Sequence, residues 1–207
     1  MFSFTTKLYP VTDVRISGLS HAEQVAQFSA GGATLIQLRE KHLSPRELYR
    51  EAEEALRVAH ARGARLMIND RVDIALALQV DGVHLGQDDL SPSVARSRLG
   101  EGAVIGFSTH NVEQAQAAAN MPIDYIAIGP IFATATKADP DPVLGLDGVR
   151  RVRDVIGGIP LVAIGGITVQ NAANVISAGA DAVAVIRALL KDPTQIQERT
   201  MELQTHL

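Results

Sequence analysis

Three polar side chains occupy every second position at the end of an apolar run. They are Gln37, Arg39 and Lys41, and the run before them is Ala33-Thr34-Leu35-Ile36. Because the side chains of an extended strand alternate between its two faces, this spacing places an amide and two cations on one face. Such a face can bind an anion such as a phosphate. The alternative is a frayed strand end with solvated charges, and this run alone does not decide between the two.

Two acids, Asp70 and Asp89, follow the third and fourth predicted strands. The ends of neighbouring strands lie side by side in a barrel, so the two carboxylates could meet at one cation. Mg²⁺ prefers oxygen ligands and usually shares its coordination shell with a substrate phosphate. Helix capping by Asp70 and turn formation by Asp89 are simpler roles. Neither explains why the acids occur beside the two cations of the first motif.

Further hydrogen-bonding residues follow the fifth and sixth predicted strands. Ser108 could donate to a phosphate oxygen, while His110 could act as an acid or base or have only a structural role. Thr134, Thr136 and Lys137 lie close together in a long connection. They could form a lid that carries hydrogen-bond donors, or they could belong to an ordinary polar loop.

A second anion site is indicated after the last two predicted strands. Gly165-Gly166 precedes a helix that begins near Thr168, and glycine lets backbone N–H groups approach a phosphate beside a helix N-terminus. Loops after strands seven and eight of (β/α)8 barrels frequently bind phosphate, and strand eight here leads into Ile186 and Arg187. A metal-assisted site for a diphosphate and a second site for a monophosphate predict a reaction between a diphosphate and a phosphate ester.

Short apolar or β-branched runs, each followed by a segment with helical periodicity, would position these residues. This alternation is the sequence pattern of βα units around a parallel sheet. Strands are predicted at residues 7–12, 34–39, 65–69, 82–85, 104–107, 125–128, 161–164 and 182–186. Eight units in about 200 residues predict a single-domain (β/α)8 TIM barrel, with a doubly wound open sheet as the alternative. Both folds bind ligands at the carboxyl ends of their strands.

Helix starts are indicated by capping residues. Ser44-Pro45 with Glu47, Ser91-Pro92, and Asn111 with Gln114 each combine an N-cap side chain with a suitable first turn. Long connections are predicted at residues 13–20 and 131–146. Long loops in a compact domain usually have a function.

Composition limits the class of protein. The 207 residues are 46% hydrophobic and 20% charged, which suits one domain spanning residues 1–207. The 19 Lys and Arg nearly balance the 23 Asp and Glu, and no basic block indicates a nucleic-acid or membrane partner. The absence of cysteine excludes disulfides and thiolate chemistry. With no apolar leader or membrane segment, we expect a cytoplasmic protein that acts on small molecules.

Together these motifs resemble those of the thiamine-phosphate synthase family. The motifs are IQLREK at 36–41, IND at 68–70, VHLGQDD at 83–89, GFSTH at 106–110, GPIFATATK at 129–137 and AIGGI at 163–167. They occur in the family's order and span nearly the whole chain. The resemblance implies a (β/α)8 barrel that joins a hydroxymethylpyrimidine diphosphate to a thiazole phosphate and releases pyrophosphate with Mg²⁺.

The resemblance also implies roles for individual residues. The pyrimidine diphosphate site would comprise Gln37, Leu38, Arg39, Glu40, Lys41, Asn69, Ser108 and Lys137. The thiazole phosphate site would comprise Thr134, Ala135, Thr136, Gly166, Ile186 and Arg187. Asp70 and Asp89 would bind the metal, and the catalytic residues would be Arg39, Lys41, Ser108 and Lys137. The chain departs from the family at Arg187, where a serine is expected, although the backbone part of that phosphate site can persist.

Two other functions stay open at this stage. A thiazole tautomerase of the same fold resembles the synthase and uses a histidine at the position of His110 for proton transfer. An isomerase that acts on one monophosphate needs neither the diphosphate site nor the metal pair, so their retention favours the synthase. A non-catalytic sensor of phosphate ligands is the second alternative, since fold does not fix function. Self-association through helix faces is possible, but no surface for it is identified.

Overall fold

Eight parallel strands form the centre of the molecule in a computed structural model that describes residues 2–134 and 141–207. The strands are β1 (Leu8–Pro10), β2 (Leu35–Leu38), β3 (Arg65–Asn69), β4 (Gly82–Leu85), β5 (Val104–Thr109), β6 (Tyr125–Ile128), β7 (Leu161–Ile164) and β8 (Ala182–Val185). Their order in the sheet is β1-β8-β7-β6-β5-β4-β3-β2. All eight predicted strands are therefore present, each within two residues of its expected ends.

The sheet closes between its first and last members. Val11, just after β1, forms a parallel bridge with Gln37 of β2. The Thr12 amide donates to the Gln37 carbonyl at 2.8 Å, and the Arg39 amide donates to the Thr12 hydroxyl at 3.2 Å. The fold is the expected (β/α)8 barrel rather than a doubly wound open sheet.

Helices alternate with the strands. Within the described residues they are α1 (Val14–Ser17), α2 (His21–Ala30), α3 (Pro45–Ala61), α4 (Val72–Leu78), α5 (Pro92–Leu99), α6 (Val112–Ala118), α7 (Gly145–Ile156), α8 (Val169–Ser177), α9 (Arg187–Leu190) and α10 (Ile196–Thr205). The expected starts of α3, α5 and α6 are confirmed: the side chains of Ser44, Ser91 and Asn111 each accept a backbone N–H from the first turn. Residues 13–20, expected to be a loop, contain the short helix α1.

Apolar side chains form two layers. An outer layer fills the space between the sheet and the helices, and an inner layer fills the barrel. The inner layer takes alternate strand residues such as Leu35, Met67 and Val162. Phe2 and Phe4 pack against it beside Tyr125, the first residue of β6, so the segment before β1 covers the amino end of the barrel. The carboxyl ends of the strands therefore carry the accessible polar residues.

None of the helices in the described ranges has the length and apolar character needed to cross a bilayer.

Candidate active site

The two cations near the end of β2, Arg39 and Lys41, form separate ion pairs. Gln37 lies in the strand and is buried, whereas Arg39 and Lys41 follow the last strand residue, Leu38. Arg39 Nη1 lies 3.4 Å from Asp13 Oδ2, and Lys41 Nζ lies 2.7 Å from Asp70 Oδ2. The predicted strand end at Arg39 is therefore one residue too long, and the two cations extend towards different acids.

Two neighbours in the same motif have side chains directed elsewhere. Leu38 is buried in the outer apolar layer, and Glu40 Oε2 lies 3.4 Å from Nε2 of the buried His21. The Glu40 carboxylate also accepts a hydrogen bond from the His42 amide at 2.6 Å. Both residues were expected in the diphosphate site. Alternation along the strand turns the Leu38 side chain away from the barrel interior. A ligand contact through the backbone of either residue stays a prediction.

Asp70 and Asp89 converge beside Lys41. Asp70 has φ of 63°, in the left-handed region that only a few residue types, among them Asp, tolerate. Asp89 accepts a hydrogen bond from the Gly86 amide at 2.7 Å. Burial, together with the Asp70 carboxyl within hydrogen-bonding reach, raises the pKa of Asp89. Asp70 does not have the simple capping role, since Arg71 is the N-cap residue of α4 and the Asp70 carboxylate pairs with Lys41.

The arrangement of oxygen atoms fits Mg²⁺. Two carboxylates face each other, and the repulsion between them would be relieved by a divalent cation, as the Lys41 ammonium relieves part of it here. In the described ranges no cluster of three or more His, Cys, Asp or Glu residues suits a metal. A metal held by only two acids leaves coordination positions for water and for phosphate oxygens, as Mg²⁺ usually requires.

Two hydrogen-bonding groups complete this end of the barrel. The buried Asn69 side chain has no hydrogen-bond partner at Nδ2. An orphaned buried donor of this kind is costly unless a ligand or water meets it. Ser108 Oγ lies 2.8 Å from Nε2 of His84, which projects from β4. These groups lie at the ends of β3, β4 and β5, next to the paired acids and lysine.

Comparison with known proteins identifies the family to which the chain belongs. Residues 8–189 match the family model described as thiamine monophosphate synthase. A thiamine-phosphate synthase from Koribacter versatilis is 49% identical over 196 residues, 91% of this chain and 91% of that protein. The chain belongs to the thiamine monophosphate synthase family.

Two further relatives agree with this family. The thiamine-phosphate synthase of Chloroflexus aurantiacus is 46% identical over 185 residues, 89% of this chain and 85% of that protein. The solved structure of a thiamine phosphate pyrophosphorylase from Pyrococcus furiosus superposes with a TM-score of 0.87 at 35% identity, covering 97% of this chain and 95% of that one. The similarity extends over the whole barrel, so a thiamine monophosphate synthase explains the chain better than the tautomerase or the sensor.

The two glycines after β7, Gly165 and Gly166, allow close packing of the backbone against the loop after β6. A Cβ atom on Gly165 would lie 2.7 Å from Pro130 Cα, and one on Gly166 would lie 2.6 Å from the Ala133 carbonyl oxygen. Both glycines have positive φ, at 103° and 64°. The close approach that they permit is therefore to the β6 loop of the chain itself. A phosphate contact through the Gly166 backbone stays a prediction.

The remaining residues of the expected thiazole phosphate site are described only in part. Ile186 is the N-cap residue of the short helix α9, and the exposed Arg187 is its first residue. Thr134 ends the first described range. Ala135, Thr136 and Lys137 lie outside the described residues.

His110, the residue on which a tautomerase would depend, contacts the neighbouring strand. Its Nδ1 lies 2.8 Å from the Gly129 carbonyl oxygen and 3.4 Å from Asp141 Oδ2, and its amide donates to the Gln114 side chain at 2.7 Å. The Gly129 contact fixes Nδ1 as a donor and joins the ends of β5 and β6. His110 therefore has a structural role, because it links the ends of β5 and β6.

Sequence reasoning missed the buried polar residues beneath the site. His84 contacts Tyr125 as well as Ser108, and Tyr125 contacts Tyr9. All three are inward positions of strands that were correctly predicted. A signal for them was present in the sequence. Tyr9, His84 and Tyr125 occupy the inward strand positions that Val or Met fills in other strands.

His84 predicts an acid sensitivity of the fold. Burial lowers its pKa to about 4, whereas an unfolded histidine titrates near about 6.5. The unfolded state therefore binds the proton first, and the stabilisation present above about pH 6.5 is lost as the pH falls towards the folded-state value. Lowering the pH from about 6.5 to about 5 should lower the free energy of unfolding by about 2 kcal/mol through His84. One pH unit corresponds to about 1.4 kcal/mol.

Urea unfolding of the wild type and of His84→Gln at both pH values measures this effect. The variant should lose about 2 kcal/mol less than the wild type between the two pH values. An equal loss in both proteins would show that His84 does not remain neutral in the fold.

Proposed function

We propose that this family member joins 4-amino-2-methyl-5-hydroxymethylpyrimidine diphosphate to a thiazole ethyl phosphate, giving thiamine monophosphate and pyrophosphate. The observation that carries the proposal is the convergence of Lys41, Asp70 and Asp89 at the ends of β2, β3 and β4. A cation beside two facing acids suits a diphosphate with a bound divalent metal. The names of the relatives support the same reaction.

The diphosphate would be held mainly by Arg39, Lys41 and Lys137. In the described structure Arg39 and Lys41 pair with the acids Asp13 and Asp70, and both pairs are partly exposed. A phosphate can therefore compete for these cations at little cost, because exposed ion pairs contribute only about 0–1 kcal/mol. The pyrimidine ring would lie deeper, where Gln37, Asn69 and Ser108 offer hydrogen bonds.

Catalysis would depend on charge at the leaving group. If the C–O bond to the diphosphate breaks before the thiazole nitrogen attacks, negative charge develops on the departing pyrophosphate. Arg39, Lys41 and Lys137 would stabilise that charge, and Ser108 would hold the pyrimidine while the electron-rich ring carries the cation. No protein nucleophile is needed, which agrees with the absence of cysteine.

Asp70 and Asp89 would bind Mg²⁺ in this scheme. A bound Mg²⁺ supplies positive charge next to the leaving diphosphate and orients it. The thiazole phosphate would lie at the ends of β6, β7 and β8, near Gly166 and Ile186. The proposed substrate class includes the carboxylated form of this thiazole, and a cytoplasmic location stays a prediction.

The test is to mix the purified protein with both substrates and Mg²⁺ and to follow the release of pyrophosphate. Turnover that requires all three components is expected. Release no faster than in the control without protein would overturn the proposal.

The departure at Arg187 gives a separate prediction. Arg187→Ser should change the KM for the thiazole phosphate by less than about tenfold and leave kcat almost unchanged, because backbone groups would make the main phosphate contacts. Steady-state kinetics with the thiazole phosphate varied will measure this. A collapse of kcat would show that the guanidinium acts on the reacting groups.

A further inference from the structure

A continuous line of polar side chains crosses the barrel from Gln37 to Ser108, and all but the half-buried Ser108 are buried. Gln37 Nε2 donates to the Tyr9 hydroxyl at 3.1 Å, and the Tyr9 and Tyr125 hydroxyls are 3.0 Å apart. The Tyr125 hydroxyl lies 2.9 Å from His84 Nδ1, and His84 Nε2 lies 2.8 Å from Ser108 Oγ. The middle three residues lie below the site, so a substrate bound at the strand ends would meet only Gln37 and Ser108.

The middle members of this line are all neutral. Burial raises the pKa of Tyr9 to about 12 and raises that of Tyr125 as well. The His84 imidazole is buried, and its two nitrogens meet the hydroxyl groups of Tyr125 and Ser108 rather than carboxylates. A neutral tyrosine has one proton to donate, and a neutral imidazole has one N–H. Each member can therefore donate to only one neighbour.

This restriction gives the line a single direction. Tyr9 accepts from the Gln37 amide, so its proton goes to Tyr125. Tyr125 has then accepted, and its own proton goes to His84 Nδ1. His84 must carry its proton on Nε2 and donate it to Ser108, which leaves the serine proton free to point into the site.

We propose that Tyr9, Tyr125 and His84 are positioning residues that form a one-way hydrogen-bond relay between Gln37 and Ser108. The relay fixes His84 as the Nε2–H tautomer, presents Ser108 to the substrate as a donor, and presents the Gln37 side-chain oxygen as an acceptor. The inference rests on the proposed function, because it treats both ends of the relay as contacts to the pyrimidine.

The relay defines the hydrogen-bonding pattern of the substrate. A ring nitrogen with a free lone pair would face Ser108, and an exocyclic amino group would face Gln37. The oxo analogue, in which a carbonyl replaces the amino group and the adjacent ring nitrogen gains a proton, presents the opposite pattern. To match this analogue the Gln37 amide would have to rotate. Its contact with Tyr9 would then survive only if the protons of Tyr9, Tyr125, His84 and Ser108 all reversed together. A site built to hydrogen-bond one pattern discriminates strongly against the reverse.

Tyr9→Phe tests the relay at a residue that does not contact the substrate. The substitution removes one hydroxyl and keeps the ring that packs against Phe4 and Tyr125. We expect the preference for the amino substrate over its oxo analogue, measured as the ratio of kcat/KM values, to fall at least about tenfold. Tyr49→Phe is the matched control: its hydroxyl donates to Glu53 on α3, outside the barrel interior, and the ratio should not change.

Two results would overturn the relay. One is a Tyr9→Phe protein that loses activity equally with both substrates, as a purely structural defect would cause. The other is a wild-type nitrogen NMR spectrum in which His84 carries its proton on Nδ1, whereas Nε2 is expected. The spectrum needs neither turnover nor the variant. A wild type that shows the expected tautomer but releases no pyrophosphate would contradict the proposed function and not the relay.

Discussion

Asp89→Asn should lower the rate of thiamine phosphate formation by about a thousandfold or more, without making the metal-free protein less stable. The carboxylate at this position faces Asp70, and burial together with that neighbour raises its pKa. An amide of the same shape removes the repulsion, and its oxygen can still accept the hydrogen bond from Gly86 that Asp89 accepts at 2.7 Å. Lost activity with unchanged or raised stability is the pattern expected for a functional residue whose native position costs stability.

The measurement combines kinetics with thermal unfolding, in a chelator and in Mg²⁺. Mg²⁺ should raise the melting temperature of the wild type and leave that of Asp89→Asn unchanged, because a ligand stabilises only the state that binds it. Asp88→Asn is the matched control, since this exposed neighbour undergoes the same chemical change. Two results would refute the metal assignment: wild-type turnover in Asp89→Asn, or a rise of its melting temperature in Mg²⁺ as large as that of the wild type.

Gly106→Ala should destabilise the fold by about 3 kcal/mol, which is the upper part of the usual range for overpacking. A Cβ atom at this inward position of β5 would lie 2.0 Å from Cζ of Tyr125. That ring cannot move aside easily, because Tyr9, Phe4 and His84 surround it. The substitution should also displace the Tyr125 hydroxyl from His84 and so reduce activity.

Chemical denaturation measures the effect, with Gly102→Ala as its control. Gly102 also lies near the start of β5, but a Cβ atom there would meet nothing within 4 Å, so its change should be near zero. In a Tyr125→Ala background the Gly106→Ala cost should fall below about 1 kcal/mol, since the clash is gone. A loss of about 3 kcal/mol in that background as well would show that the destabilisation does not come from the clash with Tyr125.

The barrel was predictable because its signals are local and repeated. Each strand is a short apolar run, and each of the helices α3, α5 and α6 begins at a side chain that caps its own first turn. The meeting of Asp70 with Asp89 was also predictable, since consecutive strands of a parallel barrel are neighbours in space.

The contacts of individual side chains were less predictable. Period-two spacing grouped Arg39 with Lys41, but the strand stops at Leu38, and after it the loop geometry sends the two cations to Asp13 and Asp70. The relay depends on the depth of Tyr9 and His84 inside the barrel. Depth is set by the stagger of the strands, which no local pattern encodes.

The closure of the barrel between β1 and β2 has a consequence for the energetics of binding. Within the described residues the backbones of these strands pair only at the Val11–Gln37 bridge. There the Thr12 amide donates to the Gln37 carbonyl, and the Thr12 hydroxyl accepts from the Arg39 amide. This junction has the shortest backbone pairing in the sheet, so we expect local unfolding to begin there. Gln37 and Arg39 are also expected substrate contacts. The measured affinity for the diphosphate would therefore include the free energy of holding the two edges of the sheet together.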